Sequence, residues 1–166
     1  MAKDHEPVVL LTDRAWPDDS IERAVLEQAG LRLVSGPADP GPAETIEALA
    51  AEHQPAAILT CWARVSGTAI AKTSSLRVVA RMGVGLDNID VTVATERGVL
   101  EEEPSIAAEL LTHPAVVITP HTAFSSDASL AELRRNAAEE VVRVLRGESP
   151  RHPCNRPAPL PHGVSS

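Results

Sequence analysis

Short apolar runs alternate with segments of helical periodicity through the first hundred residues of the chain. Four runs predict strands, because a strand buried on both faces shows a continuous apolar run rather than alternation. These runs are Val8–Thr12, Leu31–Val34, Ala56–Thr60 and Leu76–Ala80. Apolar residues at helical spacing follow each run and predict helices over 21–29, 44–53, 66–73 and 89–97.

The regular spacing of these elements indicates a fold class. One helix separates each strand from the next, which predicts a chain of βαβ units. The expected fold is therefore α/β, doubly wound, with a parallel sheet and helices on both faces. Two residue types support the helix ends: Asn88 or Asp90 would cap the start of the fourth helix, and Gly30 and Gly98 stand where left-handed C-terminal caps belong.

The pattern changes in the second half of the chain. Three glutamates and a proline occupy 101–104, and a short helix is then predicted over 105–111. An apolar run at Ala115–Thr119 predicts another strand. The longest helix is predicted over Ser129–Arg146, because Ser129 begins a capping-box pattern there.

The end of the chain differs in composition from the rest. Residues 148–166 contain five prolines, at 150, 153, 157, 159 and 161. We expect a Pro-rich, disordered tail over 148–166 and a single domain over 1–147.

Composition and charge exclude several functional classes. The chain has 166 residues, of which 43% are hydrophobic, and its net charge is −8. An acidic domain without a basic stripe is not expected to bind nucleic acid or an anionic membrane. Aromatic residues make up only 2%, too few for a surface that stacks single-stranded nucleic acid. Two cysteines give no disulfide framework, so a cytoplasmic location is expected.

One stretch of the sequence resembles a known family. Residues 77–98 read RVVARMGVGLDNIDVTVATERG, and this stretch resembles the D-isomer-specific 2-hydroxyacid dehydrogenases of the phosphoglycerate dehydrogenase and C-terminal-binding-protein branch. The resemblance resumes at 100–104, 111–123 and 137–148, and it also covers 8–35. It implies the family's substrate-binding domain, with a flavodoxin-like, five-stranded parallel sheet in the order 2-1-3-4-5.

The resemblance also implies that a domain is missing. Family members carry an NAD-binding Rossmann domain between the segments that end near Gly98 and begin near Leu100, with a Gly-rich phosphate loop and the catalytic Arg and Glu. This chain has nothing there, so it resembles two outer segments, about 1–99 and 100–147, joined directly. Engineered excision and natural truncation both fit that junction, and no NAD or NADP is expected to bind.

The resemblance leaves two candidates for the fifth strand. Residues 98–100 are the family's usual choice, but Val99 and Leu100 run directly into the glutamates. We favour Ala115–Thr119, whose apolar residues suit burial on both faces.

A glycine-rich turn is the first candidate binding element. Gly83 and Gly85 lie between a predicted strand and a predicted helix, but Asn88 stands where a dinucleotide fingerprint needs its third glycine. The resemblance implies instead that Met82, Gly83, Val84 and Gly85 offer backbone N–H groups to a substrate carboxylate. A tight structural turn is the alternative interpretation.

The loop after the third strand is the second candidate. In parallel sheets ligands collect at the carboxyl ends of strands, and the resemblance makes Cys61, Trp62, Ala63 and Arg64 substrate contacts. Arg64 would attract a carboxylate or stand as a solvated surface residue, and Trp62 would form a pocket wall or a surface aromatic. Cys61 is expected to be a small buried hydrophobe rather than a nucleophile.

One histidine carries the catalytic prediction. His121 matches the family's general acid/base, which would protonate the alkoxide formed during reduction of a ketone. Its family partners, the Arg and Glu, belong to the missing domain. The other histidines lack metal-ligand spacing, so no metal site is expected.

Three functions follow from these observations. The first is an isolated substrate-binding domain that folds without dehydrogenase activity, binds small 2-hydroxy or 2-keto acids weakly and is a monomer or weak dimer. The second is an active oxidoreductase that borrows a nucleotide domain from another chain. The third, a flavodoxin-like binding module, is disfavoured, because Asp13, Asp18 and Asp19 would repel a flavin phosphate.

Overall fold

The computed structural model describes residues 6–83, 85, 87–102 and 126–155. Ten helices and strands follow one another in this part of the chain: β1 (Val8–Leu11), α1 (Ser20–Gln28), β2 (Arg32–Ser35), α2 (Ala43–His53), β3 (Ala57–Thr60), α3 (Gly67–Lys72), β4 (Val78–Arg81), α4 (Val91–Glu96), β5 (Leu100–Glu102) and α5 (Asp127–Leu145). The predicted α/β class with a parallel sheet is confirmed. None of the described helices is long and apolar enough to cross a membrane.

The strands form one parallel sheet in the order β2-β1-β3-β4-β5. Val9 of β1 is in register with Leu33 of β2 on one side and with Ala57 of β3 on the other. The order places β1 and β3 side by side with β4 beyond β3. The loops that follow these three strands therefore emerge at one edge of the sheet.

Helices cover both faces of the sheet, and each face builds its own aliphatic core. Leu11, Leu59 and Ala80 point toward α1 and α5, where they pack with Leu26 and Val141. On the other face, Leu10, Ile58 and Val79 pack with residues of α2, α3 and α4. This alternation explains why the strands show continuous apolar runs: adjacent residues are buried on opposite sides.

The strand beside β4 differs from the one we favoured. Leu100 is in register with Val78 of β4, so residues 100–102 take the place predicted for Ala115–Thr119, which lies outside the described residues. The expectation that the glutamates after Leu100 would keep this segment out of the sheet was wrong, for a physical reason. Backbone groups form the ladder, and an outer strand tolerates charged residues that a central strand does not.

The last helix begins earlier than predicted. Ser126, not Ser129, is the N-cap: its hydroxyl accepts the Ser129 N–H at 3.1 Å, and the Ser129 hydroxyl accepts the Ser126 N–H at 2.9 Å. Ser129 therefore occupies the third helical position, where a capping box usually has Glu or Gln. The predicted helix 105–111 lies outside the described residues.

The segment after α5 corrects the predicted tail. The Glu140 carboxylate accepts the Arg151 N–H at 2.9 Å, and Asn155, which is 8% exposed, donates to the Val99 carbonyl at 2.9 Å. Residues 148–155 are therefore anchored to the domain at Arg151 and Asn155 rather than disordered. Polar side chains, which a count of prolines does not register, hold this segment in place. Residues 156–166 lie outside the described part.

A buried ion pair joins the two ends of the domain. Glu22 of α1 is fully buried, and its two carboxylate oxygens accept hydrogen bonds from Arg134 of α5, both at 2.8 Å. The guanidinium of Arg134 also lies 5.0 Å from the ring centroid of Trp16, within the range of a cation–π interaction. This cluster fixes α5 against α1 across 112 residues of sequence.

Candidate functional site

The candidate site is built from three loops at the carboxyl edge of the sheet. They follow β1, β3 and β4 and include the described residues 12–13, 61–66, 82–83, 85 and 87–90. Hydrogen bonds tie the loops together, as described below. The structure thus brings together the described residues that the sequence singled out for substrate binding: Cys61, Trp62, Ala63, Arg64, Met82, Gly83 and Gly85. Val84 and His121 lie outside the described residues, so their predicted roles stay predictions.

A buried carboxylate from β1's loop holds the loop that follows β3. Asp13 is fully buried. It accepts the backbone N–H of Cys61 at 3.0 Å and of Trp62 at 2.7 Å. The hydroxyl of Thr12 lies 2.7 Å from the same carboxylate and donates to it. These donors compensate the cost of burying the carboxylate, and they fix the first turn of the loop.

Two further side chains hold Ala63. Its carbonyl accepts from the Thr60 hydroxyl at 3.0 Å and from the Asn88 amide at 2.9 Å. Because Asn88 belongs to the loop after β4, this contact joins the two candidate binding loops. It also explains the residue at the position of the missing third glycine: Asn88 has a structural role between the loops.

Backbone contacts complete the connection between the two loops. The Val65 N–H donates to the Asn88 carbonyl at 2.8 Å, and the Asp90 N–H donates to the Val65 carbonyl at 3.1 Å. At the bases of the loops, the Met82 N–H donates to the Thr60 carbonyl at 2.7 Å. The segment 61–65 is therefore held by the strand before it and by the neighbouring loop.

The glycines after β4 are required by the backbone. Gly83 has a φ of 153° and Gly85 a φ of 102°, conformations that other residues rarely adopt. A Cβ on Gly83 would also lie 3.0 Å from Nη1 of Arg81, whose Nε donates to the Gly85 carbonyl at 2.9 Å. This turn thus presents bare backbone at the strand end, as both interpretations of the sequence require.

Burial divides the predicted contacts into two groups. Cys61, Ala63 and Met82 are buried as whole residues, backbone included, so they are closed to a ligand. Trp62 is 55% exposed and Arg64 is exposed. Trp62 is the large hydrophobic residue that stands out on the surface of the described structure.

The chemistry of Cys61 agrees with the expectation of a buried hydrophobe. Burial raises the pKa of its thiol to about 11, and the charge of nearby Asp13 adds to the effect. The thiol lies 3.4 Å from the Met82 carbonyl, to which it donates. Cys61 is therefore protonated at neutral pH and is not an activated nucleophile.

Arg64 lies at a cavity of about 300 Å³. Asp87 and Asp90 line the same cavity, so the charge of Arg64 is opposed by two carboxylates. The Asp90 carboxylate also caps α4 by accepting the Val93 N–H at 3.1 Å. Because of these two carboxylates, the cavity is not a strong anion site. A ligand carboxylate attracted by Arg64 would have to approach the guanidinium from outside this cavity.

The backbone N–H groups decide what the loops are able to bind. Those of Cys61 and Trp62 are already bonded to Asp13. The N–H groups of Ala63, Arg64 and Gly83 have no acceptor within the described part of the chain. Ala63 is 1% exposed, so the N–H groups of Arg64 and Gly83 are the ones of these three that are suited to a carboxylate.

Sequence reasoning missed the residue that organises this site. Asp13 was noted only as a charge that would repel phosphate, yet it bonds to two of the predicted contact residues. The available signal was its position: Asp13 comes two residues after the apolar run Val8–Leu11, at the carboxyl end of a strand where binding sites of parallel sheets lie. No group of three His, Cys, Asp or Glu in the described residues is arranged to hold a metal ion.

Comparisons with known proteins agree with this architecture. Residues 9–155 match the family described as D-isomer specific 2-hydroxyacid dehydrogenase, catalytic domain. D-3-phosphoglycerate dehydrogenase of Mycobacterium tuberculosis is 41% identical over 95 residues, 57% of this chain and 16% of that protein. The corresponding protein of Mycobacterium leprae is 40% identical over the same shares. The chain thus matches about a sixth of the length of these relatives.

Solved structures show the same fold. NAD⁺-bound 3-phosphoglycerate dehydrogenase of Entamoeba histolytica aligns with a TM-score of 0.52 at 16% identity, over 59% of this chain and 32% of that one. A glyoxylate reductase from Paecilomyes thermophila aligns with a TM-score of 0.50 at 22% identity, over 61% and 33%. The match to the family extends over most of the sequence, and the chain therefore belongs to the D-isomer specific 2-hydroxyacid dehydrogenase family, of which it carries the catalytic-domain region.

Proposed function

We propose that this chain is the isolated substrate-binding domain of an NAD-dependent D-2-hydroxyacid dehydrogenase, and that it binds small 2-hydroxy or 2-keto acids without reducing or oxidising them. One observation carries the proposal: a family match runs through residues 9–155, while the loops at the carboxyl edge offer backbone groups for a carboxylate. The proposed ligand contacts are the N–H groups of Arg64 and Gly83, with Trp62 beside them.

The junction between the two segments supports the single-domain part of this proposal. β5 starts at Leu100 and pairs with β4. In the family that the sequence resembles, the nucleotide domain is inserted immediately before this position. The sheet therefore continues across the junction. We propose that residues 1–99 and 100–147 form one substrate-binding domain from which a nucleotide domain has been removed, by engineering or in nature.

The described residues do not fit a dinucleotide. The Gly83–Gly85 turn lacks a third glycine, and the side chain of Asn88 is engaged with Ala63. The helix that follows, α4, has only six residues. A pyrophosphate site needs close backbone approach and a helix N-terminus aimed at the phosphates. Nicotinamide chemistry would thus depend on groups other than the residues that the structure describes.

Without a positioned cofactor, the general acid/base proposed for His121 has no hydride acceptor or donor beside it. Positioning of reactants is worth about 7–11 kcal/mol of barrier, so turnover by the chain alone is expected to be undetectable. The second candidate, an enzyme that borrows a nucleotide domain, would use the same loops and His121. Both candidate functions use the same loops, so acid binding does not distinguish them. Oxidation of NADH or NADPH by the purified chain does.

An absorbance assay tests the proposal. The purified chain is mixed with NADH or NADPH and a panel of 2-keto acids that includes pyruvate, glyoxylate and 3-phosphohydroxypyruvate, and absorbance at the nicotinamide band is followed. We expect no oxidation and no binding of NADH. Reduction that co-purifies with the chain and disappears in His121→Ala would contradict the proposal and favour the borrowed domain.

A further inference from the structure

The first observation is that Asp13 uses its whole carboxylate on the loop and its own neighbour. Both oxygens accept backbone N–H groups, that of Cys61 at 3.0 Å and that of Trp62 at 2.7 Å. A third donor, the Thr12 hydroxyl, lies at 2.7 Å. A buried carboxylate bonded to two consecutive N–H groups fixes the orientation of both peptide planes.

The second observation is that the free N–H groups come next in the chain. Ala63 and Arg64 directly follow the two residues that Asp13 holds, and their N–H groups have no acceptor among the described residues. The carbonyl of Ala63 is fixed by Thr60 and Asn88. The peptide planes on both sides of the free N–H groups are therefore set before any ligand arrives.

From this geometry we infer that Asp13 is a positioning residue for acid binding. It touches no ligand itself: it is fully buried and acts through the loop 61–64. It holds the loop so that the N–H group of Arg64, which is exposed, faces a ligand carboxylate together with that of Gly83. The inference rests on the proposed function, because it assigns a role in the binding of a 2-hydroxy or 2-keto acid.

The charge of Asp13 and its positioning role predict opposite changes in acid binding when the charge is removed, so the inference can be tested. The Asp13 carboxylate lies behind the loop and repels an incoming anion, so removing its charge would favour binding if electrostatics were its main contribution. If Asp13 acts by positioning, its neutral isostere weakens binding instead. Asp13→Asn has the same size, but its amide group has donors on one side and leaves one of the two N–H groups without an acceptor.

The chain offers a matched control. Glu22 is also a fully buried carboxylate, but its partner is Arg134 at the α1–α5 interface and not the loop. Glu22→Gln therefore removes a buried charge without removing a hydrogen bond to the loop. A general loss of stability would affect binding equally in both variants, whereas positioning affects Asp13→Asn alone.

The experiment measures the dissociation constant of D-3-phosphoglycerate and of pyruvate by amide-shift titration, and amide hydrogen exchange at Cys61 and Trp62, all under conditions where each variant is folded. For Asp13→Asn we expect about tenfold weaker binding, equal to about 1.4 kcal/mol, and faster exchange at both amides. Glu22→Gln should bind as the wild type does. Unchanged or tighter binding by Asp13→Asn would overturn the inference.

Two further outcomes are informative. If Asp13→Asn does not fold, Thr12→Val removes one donor to the carboxylate and should weaken binding by about threefold, as expected for loss of a single hydrogen bond; unchanged binding would overturn the inference. If the wild type binds neither acid, the proposed function is wrong, and the exchange rates at Cys61 and Trp62 still decide whether Asp13 holds the loop.

Discussion

Two buried carboxylates in this domain have opposite surroundings. Asp13 is held by backbone N–H groups at the carboxyl edge of the sheet, where the loops of the candidate site meet. Glu22 is held by the guanidinium of Arg134 between α1 and α5. The first charge is compensated by dipoles of the main chain, and the second by a full opposite charge and a stacked Trp16. The first orders a loop, and the second joins two ends of the chain.

The two carboxylates differ in how much of the structure depends on them. Backbone donors come from a segment that the carboxylate itself orders, so Asp13 affects geometry over a few residues. A charged partner from a distant helix affects the fold more widely, because the contact joins α5 to α1 across the domain. We therefore expect mutations at the interface to change stability most, and mutations at the sheet edge to change binding most.

The largest expected effect is at the ion pair. Arg134→Ala leaves Glu22 buried without its partner and removes the stack on Trp16. Removal of one member of a buried pair costs about 3–5 kcal/mol, so the free energy of unfolding should fall by that amount, measured by urea denaturation.

A double variant serves as the control for this prediction. Glu22→Leu combined with Arg134→Met replaces the pair by apolar side chains, which is often neutral for stability. Recovery of most of the lost stability is expected. If Arg134→Ala alone unfolded at the wild-type urea midpoint, the proposed contrast between the two carboxylates would be wrong.

The smallest expected effect concerns a carboxylate that is only partly buried. A hydrogen bond from Arg23 lowers the pKa of Asp19 from 3.8 to about 2; partial burial opposes this effect and a hydrogen bond from Ser35 adds to it. Because the pKa of the folded state is depressed, Asp19 stabilises the fold above its unfolded pKa, and this contribution is lost as the pH falls from about 4 to about 2.

Asp19→Asn tests this sign. Its ion pair with Arg23 is partly exposed to solvent, so the variant should lose only about 1 kcal/mol at pH 7. The difference from wild type should shrink toward pH 2 in thermal unfolding followed across pH. A difference that grows on acidification would show that Asp19 is not stabilised by Arg23 in its ionised form.

The sequence predicted those features that depend on local periodicity. The succession of strands and helices through Gly98 follows from the spacing of apolar residues, and the Asp90 cap and the left-handed Gly98 were both expected. The family resemblance identified the loops after β3 and β4 as the candidate site. The apolar spacing and the helix caps depend on residues that are close together in the chain, so they leave a clear pattern in a single sequence.

Features that depend on contacts between distant residues were not predicted. The segment that forms β5 was considered but not favoured, because its pairing with β4 involves backbone groups, which are the same in every residue. The pairing of Glu22 with Arg134 spans 112 residues, and nothing in the local sequence connects the two. Asp13 lies 48 residues from Cys61, so its role as an acceptor depended on β1 and β3 being neighbours in the sheet.

Amide-shift mapping of the folded chain tests the central claim most directly. The domain is titrated with D-3-phosphoglycerate or pyruvate, and separately with NADH, while the backbone amides are followed. Acid should shift the amides of Arg64 and Gly83 with a dissociation constant of about 1 mM, while NADH shifts none of the described amides. Saturable NADH shifts at the Gly83–Gly85 turn, or acid shifts confined to the α1–α5 face, would contradict the account.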